Sequence, residues 1–103
     1  MAWIKVGKQA ELQEGECKSV EPQGTRIAIY KVGGCVYATS DICTHQLAYM
    51  SEGYLDGEYI ECPMHQGRFH VPTGKAMGAP VTKDLRVFPC KIDDGAIYVE
   101  VDR

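Results

Sequence analysis

The hydrophobic pattern of this chain predicts strands rather than helices. From Thr25 to Val32, Ile27 and Ile29 alternate with Arg26 and Ala28, the period of two that sets one side of a strand on a core. Gly33-Gly34 follows, and glycine accepts the positive φ of a two-residue turn, so a hairpin is predicted into Cys35 to Thr39. A second hairpin is predicted where Leu85 to Ile92 and Ala96 to Val101 flank Asp93-Asp94-Gly95, with Ile97, Val99 and Val101 on a single face. Pro89 cannot donate a ladder hydrogen bond, which puts its strand at a sheet edge or a bulge. Shorter strands are expected at Trp3 to Val6, Glu16 to Val20, Glu58 to Glu61 and Arg68 to Val71, with turns at Asp56-Gly57 and Pro72-Thr73-Gly74. No amphipathic helical stretch of convincing length appears. The expected fold class is mainly β, built of antiparallel sheets.

Between the hairpins lie two short pairs, Cys43-Thr44-His45 and Cys62-Pro63-Met64-His65, in a chain with only three histidines. Two thiols and two imidazoles on adjacent loops make a metal site the first candidate. Zinc uses the same ligand types in closed tetrahedral sites, but a zinc finger pairs cysteine with cysteine and histidine with histidine, the latter on a helix. Here each pair is mixed, and Pro63 disfavours a helix through the second. Mixed pairs can instead divide between two irons, cysteines on one and histidines on the other, which is the ligation of a Rieske [2Fe-2S] centre. Structural zinc and a site without metal remain as alternatives.

Beyond the ligands, Gly53-Tyr54-Leu55-Asp56-Gly57, Ile60-Glu61-Cys62-Pro63, Gly67-Arg68-Phe69, Thr73-Gly74-Lys75-Ala76 and Ala79-Pro80-Val81 surround the pairs. Over roughly Tyr37 to Pro89 the chain resembles the small Rieske ferredoxins of bacterial aromatic-ring-hydroxylating dioxygenase systems. His70 departs from that pattern, since family members often carry Asp after the Phe. The resemblance implies one [2Fe-2S] cluster held between two loops at one tip, with Cys43, His45, Cys62 and His65 as ligands and no catalytic residues. It implies a single domain over 1–103, with a cluster-binding subdomain at about 41–80 and a base formed by about 1–40 and 81–103. It further implies histidines that bind iron through Nδ1 and leave Nε2-H toward a partner. Leu47, Ala48, Met50, Met64, Gln66 and Pro80 are the candidate apolar docking surround, with Met50 equally a residue that only packs one loop on the other.

Composition fits a carrier. At 103 residues the chain buries one modest core, and a structural cofactor helps a domain of this size. Its net charge of -3 and lack of a Lys/Arg cluster argue against a nucleic-acid partner. The start, Met1-Ala2-Trp3-Ile4-Lys5-Val6, has no long apolar run, so neither a signal peptide nor a membrane anchor is expected and the cytoplasm is the expected location. Five cysteines is an odd number; with two assigned to iron, Cys17, Cys35 and Cys90 are expected as small buried hydrophobes. His70 is expected as a satisfied structural or surface histidine and Arg68 as a loop brace. Asp41, Glu52, Asp56, Glu58 and Glu61 are candidates for steering a basic partner surface, with most of them simply solvated.

Charge accounting bears on the potential. Two ferric ions and two sulfides carry a charge that two thiolates and two neutral imidazoles bring to zero, whereas four thiolates would make it negative, so histidine ligation eases reduction. High-potential respiratory members add a disulfide between the two loops and hydroxyl donors to sulfur. The matching positions here are Ala48, Met64, Gly67 and Phe69, so the resemblance implies a potential near the low end. Backbone N–H groups of 46–48 and 65–68 remain available to the sulfurs. The implied role is that of a monomeric one-electron carrier between an NAD(P)H-dependent flavin reductase and a terminal ring-hydroxylating oxygenase. The chain is not itself an enzyme: a mononuclear iron needs two histidines and a carboxylate, and only His70 is left. A fixed Rieske-like small subunit of a larger reductase, such as nitrite reductase, and a zinc-stabilised interaction module are the rival readings.

Overall fold

The computed structural model describes residues 2–44, 48–64, 67–78 and 83–101. Among the described residues ten strands run in chain order: β1 (Ala2–Lys8), β2 (Cys17–Val20), β3 (Ile27–Val32), β4 (Cys35–Ser40), β5 (Tyr54–Asp56), β6 (Tyr59–Glu61), β7 (Arg68–His70), β8 (Val87–Phe88), β9 (Cys90–Asp93) and β10 (Ala96–Val101). They form three antiparallel sheets, ordered β1-β10-β9, β2-β3-β4-β8 and β5-β6-β7. The helical content among the described residues is three short 3₁₀ turns. None of the described helices is long and apolar enough to cross a membrane.

The β2-β3-β4-β8 sheet is the middle layer, and β3 shows why. Ile27 and Ile29 join Leu12, Ala38, Phe88, Ile97, Val99 and Val101 in one core, while Ala28, Tyr30 and Val32 join Met50, Ile60, Phe69, Val71 and Leu85 in another. Successive side chains of a strand point to opposite faces, so one segment feeds both cores. The alternation expected from Ile27 and Ile29 is present, but Ala28 is buried rather than facing solvent. Alanine is too small to announce burial, and Tyr30 is tolerated inside because its hydroxyl bonds the Thr39 Oγ1 at 2.8 Å. Ile97, Val99 and Val101 share a face as expected.

Both hairpins close as their turn residues require. Gly33 and Gly34 take φ values of 60° and 79°, and the Glu14 carboxylate accepts both their N–H groups at 2.7 and 2.9 Å. Those donors hold Glu14 below the usual carboxylate range. In the second hairpin Asp94 and Gly95 are the left-handed pair, between Asp93 and Ala96. The expected strand from Leu85 to Ile92, however, is two strands. At Pro89 the chain leaves the middle sheet, where Val87–Phe88 pairs with β4, and joins β10 in the first sheet as β9. A residue without an N–H can sit where pairing changes partner, and its carbonyl accepts from Glu100 N at 3.0 Å.

The third sheet contains a strand the sequence pattern did not single out, β5, paired Tyr54 to Glu61 and Asp56 to Tyr59. Its entry depends on Gly53, where an added Cβ would lie 2.1 Å from the carbonyl oxygen of Glu61. Gly53→Ala is therefore expected to lower unfolding free energy by about 1–3 kcal/mol, through backbone displacement rather than dihedral strain. Gly57→Ala, at φ 59° with open space around it, should cost only about 1–2 kcal/mol. Denaturant midpoints check the pair, and an unaffected Gly53→Ala midpoint would contradict the close approach.

Candidate metal centre

Cys43 and Cys62 are both nearly fully buried and belong to the core between the middle sheet and the β5-β6-β7 sheet. Each begins a loop closed in the same way. Cys43 N–H donates to the Ala48 carbonyl at 2.9 Å, and Cys62 N–H to the Gly67 carbonyl at 2.6 Å. Each is a bond to the carbonyl five residues onward, so the two loops turn their cysteines inward on equivalent hinges. Below these hinges, Ile42 bridges Tyr49 in the first loop and Glu61 pairs with Arg68 in the second. The Thr44 hydroxyl donates to the Lys83 carbonyl at 3.0 Å, tying the first loop to a third segment.

The two thiols lie in hydrogen-bonding contact, and burial pushes Cys62 up to about 11, with the Met64 N–H opposing and Cys43 adding to the rise. Burial of both thiols argues against a surface redox role. None of the five cysteines is disulfide-bonded. The Met64 N–H reaches Cys62 Sγ at 3.4 Å, a donor the sequence reading had not included. His45 and His65 lie outside the described residues, as do Gln46, Leu47, Gln66 and Pro80. Among the described residues no cluster of three or more His, Cys, Asp or Glu side chains is assembled for a metal. The cysteine half of the expected set is thus brought together.

Residues 2–89 match the family model described as Rieske [2Fe-2S] domain. The chain belongs to this family. Its cofactor is accordingly a Rieske-type [2Fe-2S] cluster, and two adjacent buried thiols are the donor set that the cysteine-ligated iron of such a cluster needs. The Rieske chain is 44% identical to the naphthalene 1,2-dioxygenase system ferredoxin component of Pseudomonas putida, over 96% of this chain and 95% of that one. It is similar to a chain in the solved complex of reduced oxygenase and oxidized ferredoxin in carbazole 1,9a-dioxygenase, with TM-score 0.90 and 44% identity over 94% of this chain and 91% of that one. The Sphingomonas yanoikuyae B1 ferredoxin superposes with TM-score 0.92 at 32% identity, covering 98% and 100%. Its relatives are ferredoxin components, in keeping with an electron carrier rather than a catalytic subunit.

Other expected site residues sort clearly. His70 is satisfied as expected: its Nδ1 meets the Thr73 hydroxyl and its Nε2 the Glu58 carboxylate, each at 2.9 Å. Arg68 braces as expected, 3.5 Å from Asp56 and over the Tyr59 ring. Met50 is fully buried, so it packs one loop on the core and is removed from the candidate docking surround, whereas Met64 is 45% exposed. Ile42 and Met77 are exposed apolar residues that the surround had omitted. Cys35 is exposed, contrary to the buried role expected, because it is the first residue after a surface turn. Cys17 and Cys90 are half-buried against the two cores, and burial pushes Cys90 up to about 12.

Asp41 is the largest correction. Expected among acids that steer a partner or are simply solvated, it is instead fully buried and hydrogen-bonded through both carboxylate oxygens. Its side-chain partners Arg26 and Ser51, and the Tyr49 ring that lies against Arg26, carry no signal in the sequence. No local spacing links residues 26 and 41; only the β3–β4 hairpin between them does.

Proposed function

We propose that this chain is a soluble cytoplasmic one-electron carrier whose cluster is held by Cys43 and Cys62 on one iron and by His45 and His65 on the other. When bound, the cluster supplies a one-electron redox couple. The residues around it bury the cysteine side and leave apolar surface beside it at Met64 and Ile42, which adjoin the ligand cysteines in sequence. Weak electron-transfer encounters use small patches of this kind. The stretch of about 41–80 is read as the cluster-bearing part and about 1–40 with 81–103 as its base.

The observation that carries the reading is the pair of buried cysteines on equivalently closed loops, in a chain 44% identical to a ferredoxin seen with its oxygenase. By that likeness the chain takes electrons from an NAD(P)H-dependent flavin reductase and passes them to a terminal ring-hydroxylating oxygenase. A low potential is supported by what the loops lack: Gly67 has no side chain, buried Phe69 no hydroxyl, and Ala48 and Met64 no thiol for a clamp disulfide.

The test is transfer through purified components, a flavin reductase, this chain and a ring-hydroxylating oxygenase, with NAD(P)H as donor. Reduction by the first and reoxidation by the second are expected. Met64→Glu should slow reoxidation at least several-fold and leave the visible spectrum intact, because a charge is placed on the apolar patch. Equal rates would remove Met64 from the patch. A colourless protein carrying zinc and no iron would overturn the whole reading in favour of a zinc-stabilised module.

A further inference from the structure

The two ligand loops share their hinges but not their foundations. The second loop stands on the β6–β7 ladder, whose Glu61–Arg68 pair meets directly beneath it. Among the described residues no such ladder joins the arms of the first loop, where the Ile42–Tyr49 contact is an isolated bridge. Its base is instead gathered on one residue. Asp41 N donates to the Arg26 carbonyl at 3.1 Å, and the Asp41 carbonyl accepts from Met50 N at 2.6 Å. The Asp41 carboxylate accepts from Ser51 N at 2.7 Å, the Ser51 hydroxyl at 3.0 Å and Arg26 Nε at 2.7 Å. The Arg26 guanidinium also lies 3.7 Å from the centre of the Tyr49 ring, on the returning arm of the loop.

Both arms of the first loop are therefore tied to one buried residue, and its carboxylate to a cation on the residue just before β3. A buried ion is costly unless paired and fully bonded, which makes this arrangement hard to account for as packing alone. An apolar or neutral closure would have served the fold without that cost. The position matters, because Asp41 precedes Cys43 by two residues, so the network fixes the arm that carries that cysteine.

We propose that Asp41 and Arg26 are positioning residues for the cluster: the carboxylate sets the first ligand loop, and the guanidinium cancels the charge that the carboxylate would otherwise impose on the redox couple. The proposal rests on Cys43 being a ligand. Its signature is two shifts of opposite sign. Arg26→Gln leaves a buried negative charge beside the cluster, disfavours an added electron and lowers the potential. Asp41→Asn leaves the positive charge and raises it. At the separations a two-residue step allows, each shift should correspond to about a threefold to tenfold change in the reduction equilibrium, tenfold being about 59 mV for one electron. Asp41→Asn also sets an amide N–H against a donor, Arg26 Nε or Ser51 N, so the electron paramagnetic resonance lines should broaden as the loop loosens.

The experiment is a redox titration of the cluster-loaded protein with each single variant, the double variant and Arg26→Lys. The double variant and Arg26→Lys should both return close to the unsubstituted potential, because each restores local neutrality. Should Asp41→Asn fail to fold, Arg26→Gln against Arg26→Lys decides alone, since the Arg26 side chain is 32% exposed and tolerates replacement better. Shifts of the same sign in both single variants, or no shift with Arg26→Gln, would overturn the proposal. Unsubstituted protein that never takes up iron overturns the ligand reading and this inference with it. Normal loading with unmoved potentials overturns this inference alone.

Discussion

Cys62→Ser, and equally Cys43→Ser, is expected to give a colourless protein that retains no iron after desalting. Serine is nearly isosteric, so the loop hinges survive, but its hydroxyl is a far weaker acid than a thiol and a poor ligand for a soft, sulfide-bridged iron. Burial already pushes the Cys62 thiol up to about 11, and the same burial penalises an alkoxide more heavily still. Both side chains line the core that also contains Ile60, Phe69 and Val71, so loss of the cluster should be accompanied by a lower melting temperature. Cys35→Ser is the control: exposed on β4, it should change neither iron content nor colour. Iron content and the visible spectrum after reconstitution check all three. A Cys62→Ser protein with two irons and an unchanged spectrum would remove Cys62 from the ligand set.

His65→Cys, if a cluster still assembles, should lower the reduction potential by on the order of 100 mV. The sign follows from charge, since a thiolate in place of a neutral imidazole makes the oxidised cluster more negative before the electron arrives. The size follows from the span between the low end of Rieske potentials, roughly -150 mV, and four-cysteine plant-type clusters at roughly -400 mV, shared between two replaced histidines. His45→Cys should move the same way. The unsubstituted protein is expected near the low end, and a titration placing it above about +100 mV would refute the low-potential reading. A His65→Cys potential equal to or above the starting one would instead contradict the charge argument, whatever the absolute value.

The strands were legible because turn chemistry and period-two patterning are local. Gly33-Gly34 and Asp94-Gly95 sit where the chain reverses, and Ile97, Val99 and Val101 point one way. The exchange of sheets at Pro89 was only half visible: proline announces a break in pairing, but not which sheet lies on either side of it. β5 escaped notice because it is three residues long and ends in the Asp56-Gly57 turn signal, and only the approach of the Glu61 carbonyl explains the glycine before it. Met50 stood open between docking and packing. A methionine beside a ligand loop looks the same in sequence whether it faces a partner or, as here, the core.

What the sequence offered by itself was the candidate chemistry, two mixed Cys/His pairs of a type that can share two irons, and it determined the local β structure on either side of them. Ligand identity and spacing are properties of short segments, so they survive reading without a fold. What only the tertiary structure decided was how the loops are held. The matched hinges at Cys43 and Cys62 join residues within a loop, but the closure of the first loop joins Arg26, Asp41, Tyr49 and Ser51, which meet only once β3 and β4 have paired. An aspartate in a polar stretch looks solvated until the fold removes its water, and from then on its charge has to be answered by a partner elsewhere in the chain.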